Sequence, residues 1–211
     1  NDLVSLLGVS VDTVRRDLES LEKKQLLKRV HGGAVPLPDY GNRLTYAQRM
    51  WKNQAAKEEI AEKVCEYVRE GQAVALNAGT TNVAVAKKLA ERFERLTILT
   101  NGLHIIEQFA HKRQFTVIAA GGSVDYEEFA FYGEACERHI ADYNFDVAIL
   151  SCNAISLDRG LTEIRLHEPG VIRAIIDRSR HTIVAADSSK FETVSFLNVA
   201  PLEWVDRIVT D

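Results

Sequence analysis

Between residues 8 and 34 the chain reads GVSVDTVRRDLESLEKKQLLKRVHGGA, and few local structures satisfy that order of residues. Gly8 follows an apolar helix end (Leu3, Leu6, Leu7) and tolerates the positive φ of a tight turn. Val9 plugs the core behind the turn, and Ser10 is placed to accept backbone N–H groups as the N-cap of a second helix. In that helix Val14, Leu18 and Leu21 recur at i, i+4 and i+7, the spacing of one buried stripe. The stripe turns Asp12, Thr13, Arg15 and Arg16 outward near the N-terminal end, the end a recognition helix presents to base edges. Lys23 and Lys24 follow, then the apolar pair Leu26 and Leu27. Lys28, Arg29, Val30 and His31 form a short strand into Gly32-Gly33, a hairpin wing able to lie along phosphates. A basic pair on a helix is usually no more than a solvated surface. Turn, cap, stripe, basic pair and glycine-tipped ribbon in this order indicate a winged helix-turn-helix for double-stranded DNA. Its candidate contacts are Ser10, Asp12, Thr13, Arg15, Arg16, Lys28, Arg29 and His31.

Charge agrees with that assignment without deciding it. Residues 8–31 hold six Lys/Arg against four Asp/Glu, a balance of +2, so a net charge of −4 leaves −6 on the remainder. A mildly basic head on an acidic body suits a protein that touches nucleic acid with the head alone. With 211 residues there is room for this small module and one sizeable core. No apolar run approaches membrane-spanning length, and the first residues lack the basic start of a signal peptide. Cys65, Cys136 and Cys152 are odd in number and scattered, which fits a reducing cytoplasm better than a disulfide framework or a zinc site.

Residues 35–53 carry two prolines, a glycine and weak periodicity, and read as a linker between a 1–34 head and a 54–211 domain. From residue 54 amphipathic helices alternate with short apolar strands: AVAL at 73–76, LTILT at 96–100, FTVIAA at 115–120, DVAILS at 146–151 and TIVAAD at 182–187. That alternation indicates an α/β domain with a mostly parallel sheet covered on both faces. Ligands of such sheets bind beyond the carboxyl ends of the strands. Five of those ends carry small or polar clusters: Asn77 to Thr81, Thr100 to Gly102, Gly121 to Ser123, Ser151 to Asn153, and Asp187 to Lys190. Each alone is ordinary turn chemistry. Gly79, Thr80 and Thr81 opening a helix supply backbone N–H groups, hydroxyls and the positive dipole end, the elements of an anion site, and Lys190 adds a fixed positive charge.

Taken together, VSVDTVRRDLESLEKKQLLKRVHGGAV, NAGTT, TNG at 100–102, Gly121-Gly122 and ADSSKF at 186–191 resemble the DeoR family of bacterial transcription regulators, usually repressors of sugar-utilisation genes. The resemblance spans nearly the whole chain. It implies an N-terminal winged helix and a C-terminal sensor similar to ribose-5-phosphate isomerase. A homodimer or larger oligomer is expected on separate grounds, because one winged module is a small interface and two linked heads on paired half-sites gain affinity. The resemblance also implies a phosphorylated sugar or related anion as effector. No cofactor is expected. By position, Gly79, Thr80, Thr81 and Lys190 correspond to anion contacts. Asn77, Asn101, Gly121, Gly122, Asn153 and Asp187 would line the rest of the pocket. Against the family pattern, Asn77 replaces an aspartate, SCNAI at 151–155 replaces a glycine-aspartate-glycine turn, and Ile172 stands where a lysine is usual. These departures bear on the family's standard inducer more than on the fold, and Ile172, by making its wall of the pocket less polar, points to a smaller or less hydroxylated ligand. Relative to the family the chain is expected to be clipped at both ends, with its first helix incomplete.

The same scaffold also suits a sugar-phosphate isomerase. That chemistry needs a carboxylate base beside the transferred proton, and Asn77 and Asn153 cannot serve. A domain that only oligomerises the head stays open as a third reading. Six histidines without H-x-x-x-H spacing give no metal site, and Ser188 and Ser189 have no nearby histidine to activate them. Trp51 and Trp204 are expected as packing anchors, and Asp146 and Asp206 as caps at the starts of strands.

Overall fold

The computed structural model describes residues 2–24, 26–30, 32–35 and 44–211. Its contacts divide the chain into two units, Asn1–Lys52 and Asn53–Asp211. His31 lies outside the described residues.

The first unit contains α1 (Asp2–Leu7), α2 (Val11–Lys23), β1 (Lys28–Val30), β2 (Gly33–Val35) and α3 (Tyr46–Trp51). Gly8 takes φ +64° between α1 and α2, as the turn requires. Ser10 caps α2, its Oγ accepting the Thr13 N–H at 3.1 Å. Val14 is the buried centre of the α2 stripe, with Leu18 and Leu21 half-buried beside it. Leu6 and Leu7 of α1 are exposed. The β1–β2 ribbon is antiparallel, pairing Lys28 with Val35 and Val30 with Gly33. Part of the stretch expected as linker is helical. Thr45 and Gln48 form a capping box that starts α3, whose Tyr46 is buried. The prolines and glycine that suggested a linker stop at residue 41, before this box. Trp51 is half-exposed with the Lys24 ammonium 5.0 Å from its ring, and Trp204 is likewise half-exposed, so neither is a core anchor.

The second unit runs α4 (Gln54–Val64), β3 (Ala73–Leu76), α5 (Thr80–Arg92), β4 (Thr97–Thr100), α6 (Leu103–Gln108) and β5 (Thr116–Ala119). A hairpin, β6 (Ser123–Asp125) and β7 (Ala130–Tyr132), leads to α7 (Glu134–Ala141) and β8 (Phe145–Leu150). Then come β9 (Ala154–Ser156), β10 (Gly160–Glu163), α8 (Glu168–Asp177), β11 (Ser179–Ala185), β12 (Leu197–Ala200) and β13 (Arg207–Val209). Six strands form one parallel sheet in the order β13-β11-β8-β3-β4-β5. Successive strand residues face opposite sides. Ala75, Leu99, Ala148 and Val184 join Ile140 of α7 and Val171, Ile172 and Ile175 of α8 in one core. The alternate residues Val74, Leu76, Ile98 and Ile149 are equally buried, as are Ile60 and Val64 of α4 and Val85 and Leu89 of α5. Ile172 is thus core packing and forms no pocket wall.

Asp146 and Asp206 cap strands as expected: their carboxylates accept the backbone N–H of Ala73 at 2.9 Å and of Thr182 at 2.7 Å. The sheet β12-β10-β9 is antiparallel and lies outside the strand–helix alternation. It turns on Gly160 at φ +66°, where a Cβ would stand 2.2 Å from the Ala200 carbonyl oxygen. Among the described residues no helix is long and apolar enough to cross a membrane.

Candidate functional site

On α2 the outward residues Asp12, Thr13, Arg15 and Arg16 are all exposed, because the helix buries only its Val14 side. Arg15 lies 4.0 Å from Glu19 and remains 68% exposed, a contact too loose and solvated to hold it. Ser10 is occupied as the cap and also shares a 2.9 Å hydrogen bond with the Thr13 hydroxyl. Arg29 faces back: its guanidinium is 2.8 Å from Glu19 and its N–H donates to Glu22 at 2.7 Å. It therefore fastens the ribbon to α2, while Lys28 at the start of β1 is exposed.

In the sensor unit, the ends of β3 and β8 meet at Gly79. A Cβ there would stand 2.1 Å from Ser151 Oγ, so only glycine admits the serine. Thr80 and Thr81 follow as the first residues of α5, both buried, and Gly79 offers no side-chain cap. The first-turn N–H groups of a helix without a cap are directed at whatever lies in front of it. Asn82, one residue on, donates to the Asn77 carbonyl at 2.9 Å, Asn77 Oδ1 at 3.0 Å and the Ile149 carbonyl at 3.0 Å. Its own Oδ1 is buried without a hydrogen-bond partner among the described residues.

Asn77 is withdrawn from any ligand. It is fully buried, its Oδ1 accepts the Ser151 N–H at 2.8 Å, and its Nδ2 donates to Ser151 O at 3.0 Å and Glu168 Oε1 at 2.7 Å. Asn101 is likewise spent, accepting the Ala78 N–H at 2.7 Å and donating to the Phe131 carbonyl at 3.0 Å. Two of the side chains that sequence placed in the pocket thus lock adjacent strand ends together. Gly121 and Gly122 form a left-handed turn, and a Cβ on Gly122 would stand 2.5 Å from the Tyr132 carbonyl oxygen. Asn153 is half-buried and donates to Ser195 Oγ at 2.5 Å. Asp187 caps the single 3-10 turn Ser188–Lys190, and Lys190 ends that turn half-buried. Burial works against the Asp187 charge. Bonds from Ser189 and Asn53, with Lys190 nearby, outweigh it and hold the carboxyl below its ordinary pKa.

A buried cluster of charge beneath these loops was missed by the sequence reading. Arg165 is gripped by Glu163, Nε to Oε1 at 2.8 Å and a terminal nitrogen to Oε2 at 2.6 Å, and reaches Glu128 at 3.1 Å. Glu168, fully buried, accepts the Tyr132 hydroxyl and the Asn77 amide. Burial pushes the Glu168 pKa up, opposed by Arg165 and by the Tyr132 and Asn77 bonds. Burial also disfavours the Arg165 charge, but the surrounding carboxylates prevail and its guanidinium stays above its ordinary pKa. The available signal was Glu163 at the end of a strand, an acid where apolar residues are usual, whereas Glu168 directly before Pro169 reads as an ordinary first-turn acid of a helix.

Comparison with known proteins follows both units. Residues 1–37 match the DeoR-like helix-turn-helix domain, and residues 52–211 match the DeoR C terminal sensor domain. The transcriptional repressor AccR of Agrobacterium fabrum is 40% identical over 206 residues, covering 96% of this chain and 79% of that protein. The glycerol-3-phosphate regulon repressor of Escherichia coli is 35% identical over 210 residues, covering 100% of this chain and 82% of the repressor. Among solved structures, eIF2B beta from Chaetomium thermophilum overlaps 74% of this chain and 48% of its own at 13% identity, with a TM-score of 0.54. Ribose 5-phosphate isomerase A of Methanocaldococcus jannaschii overlaps 66% of this chain and 55% of its own at 13% identity, with a TM-score of 0.48. The chain therefore spans about half the length of these solved structures, and the first likeness concerns the fold alone. Two family domains in order, with relatives matched over nearly the whole of this chain, establish that the chain belongs to the DeoR family of transcriptional regulators.

Proposed function

We propose that this regulator represses transcription by gripping operator DNA with α2 and the β1–β2 wing, and that a phosphorylated sugar or polyol at the opening of α5 alters the grip. The observation that carries the effector half is the uncapped start of α5, with Thr80 and Thr81 behind a glycine that leaves no room for a side chain. Such a helix end takes phosphate oxygens on N–H groups and hydroxyls without a metal or cofactor. Lys190 supplies a second contact, with Asp187, Asn153 and the Gly121-Gly122 turn around the remainder of the ligand. Asn77 and Asn101 act as scaffold behind it. On the DNA side Arg15 and Arg16 provide affinity, Thr13 and Asp12 face base edges, Lys28 and His31 follow the backbone, and Ser10 and Arg29 shape the surface.

The ligand is sensed and not turned over. Both Glu168 oxygens are engaged by Tyr132 and Asn77, Asp187 Oδ1 is engaged by Asn53 and Ser189, and the relatives are named as regulators. The working species is a cytoplasmic homodimer or larger oligomer, since two linked heads on paired half-sites gain affinity by avidity. Glycerol-3-phosphate regulon repressors among the relatives make glycerol 3-phosphate the first probe. The test is fluorescence anisotropy of a DNA duplex selected from a random pool by the full chain, titrated with glycerol 3-phosphate and with pentose and hexose phosphates. A saturable change in DNA affinity supports the reading. No response to any of them, or conversion of one, overturns it.

A further inference from the structure

We propose that Asn53 transmits effector occupancy to the DNA-binding unit, because its carboxamide ties the effector loop to the peptide that joins the two units. The proposal rests on the effector reading above. Asn53 is the first residue of the sensor unit and follows Lys52, the last residue of the other. Its backbone is left-handed, φ 53° and ψ 38°, between the end of α3 and the start of α4. Few side chains accept that conformation, and asparagine is among those that do.

Asparagine at a helix N-cap ordinarily turns its side chain onto the helix. Asn53 makes no such bond to α4. Its Nδ2 instead reaches Asp187 Oδ1 at 2.9 Å, a residue 134 positions along the chain, and lies 3.5 Å from Ser189 Oγ. The same Asp187 oxygen accepts the Ser189 N–H at 3.2 Å and the Ser189 hydroxyl at 2.5 Å, and so defines the turn that ends in Lys190. One carboxylate oxygen thus anchors two things, the turn that carries the anion contact and the residue that heads the connection to the DNA-binding unit. An anion that draws Lys190 tilts the turn. The acceptor for Asn53 moves with it, and the strained left-handed link is held differently in the occupied and empty states. Coupling of two sites requires such an element with two arrangements, biased by both ligands.

The test uses the full chain, the selected duplex and glycerol 3-phosphate, with pentose phosphates as further probes. Asn53→Gly keeps the left-handed backbone and removes the carboxamide. Asn53→Asp also tolerates that backbone but faces Asp187 with a like charge. Probe binding is read by calorimetry and DNA affinity by anisotropy. In Asn53→Gly probe affinity is expected to stay within about twofold of the wild type, whereas the added charge of Asn53→Asp weakens it. In both variants, at saturating probe, the effect on DNA, of the order of 5–150-fold for a coupled pair of sites, falls below about twofold. A full DNA response in the variants overturns the role of Asn53. So does a response lost only because the probe no longer binds, since Asn53 then merely supports the pocket. A wild-type chain that binds no probe, or whose DNA affinity ignores a bound one, refutes the effector reading itself and leaves Asn53 nothing to transmit.

Discussion

Asn77→Asp changes one atom of the sensor and tests how its strand ends are joined. The aspartate keeps the acceptor for Ser151 N–H and Asn82 Nδ2, but loses donation to Ser151 O at 3.0 Å and to Glu168 Oε1 at 2.7 Å. Leaving the Ser151 carbonyl unpaired costs roughly 1–3 kcal/mol. Two carboxylates at that separation cannot both ionise, so the pair retains a proton and its folded affinity for that proton exceeds that of the unfolded chain. Stability from a raised pKa is present at low pH and is lost as pH climbs from the unfolded toward the folded value, at about 1.4 kcal/mol per pH unit. The expected deficit is about 2–4 kcal/mol at pH 8 and about half that at pH 5. At roughly 2–4 °C per kcal/mol for a chain of this size, the melting temperature at pH 8 falls by about 5–15 °C. Circular dichroism melts of wild type, Asn77→Asp and Asn77→Asp/Glu168→Gln at both pH values read this out. The double variant, with one carboxylate removed, is expected to lose the excess pH dependence. A single variant as stable as wild type at pH 8, or a deficit equal at both pH values, refutes the buried Asn77–Glu168 pairing.

Removing Arg15 or Arg16 is expected to weaken DNA binding. A phosphate contact lowers the salt slope by about one and affects all sequences alike, whereas a guanine contact costs about 1–3 kcal/mol at a single base pair. Wild-type binding by the double alanine variant contradicts the α2 assignment. Gly160→Ala forces a Cβ against the Ala200 carbonyl at an unfavourable positive φ, so urea unfolding should show a loss of about 2 kcal/mol or more. Burial raises the thiol pKa of Cys65 to about 11 and those of Cys136 and Cys152 to about 12. The native protein at pH 8 should therefore leave a disulfide reagent unreacted until denaturant is added, and prompt native labelling refutes that burial.

The architecture was readable because its signals are local and periodic. The Val14-Leu18-Leu21 stripe, the Ser10 cap and the Gly8 turn announce α2, and five β-branched runs separated by helices announce the parallel sheet. What escaped was decided by tertiary contact. β9, β10 and β12 are three or four residues long and gain identity only from pairing, so no period marked them. Asn77 and Asn101 had the right chemistry at the right strand ends for ligand contact. Their neighbours consume that chemistry, through Glu168 and Ser151 in one case and Ala78 and Phe131 in the other. Arg29 is a wing contact by its place in the sequence, yet Glu19 one helix away captures it.

The central claim, that the opening of α5 holds a phosphate group and leaves the ligand intact, is tested most directly by phosphorus NMR of glycerol 3-phosphate and ribose 5-phosphate with the full chain. The account predicts saturable broadening of the phosphate resonance by wild type, clear weakening in Thr80→Ala and in Lys190→Ala, and no new resonance after prolonged incubation. Broadening of equal size in all three proteins would place the phosphate elsewhere, and a growing product signal would make the sensor an enzyme.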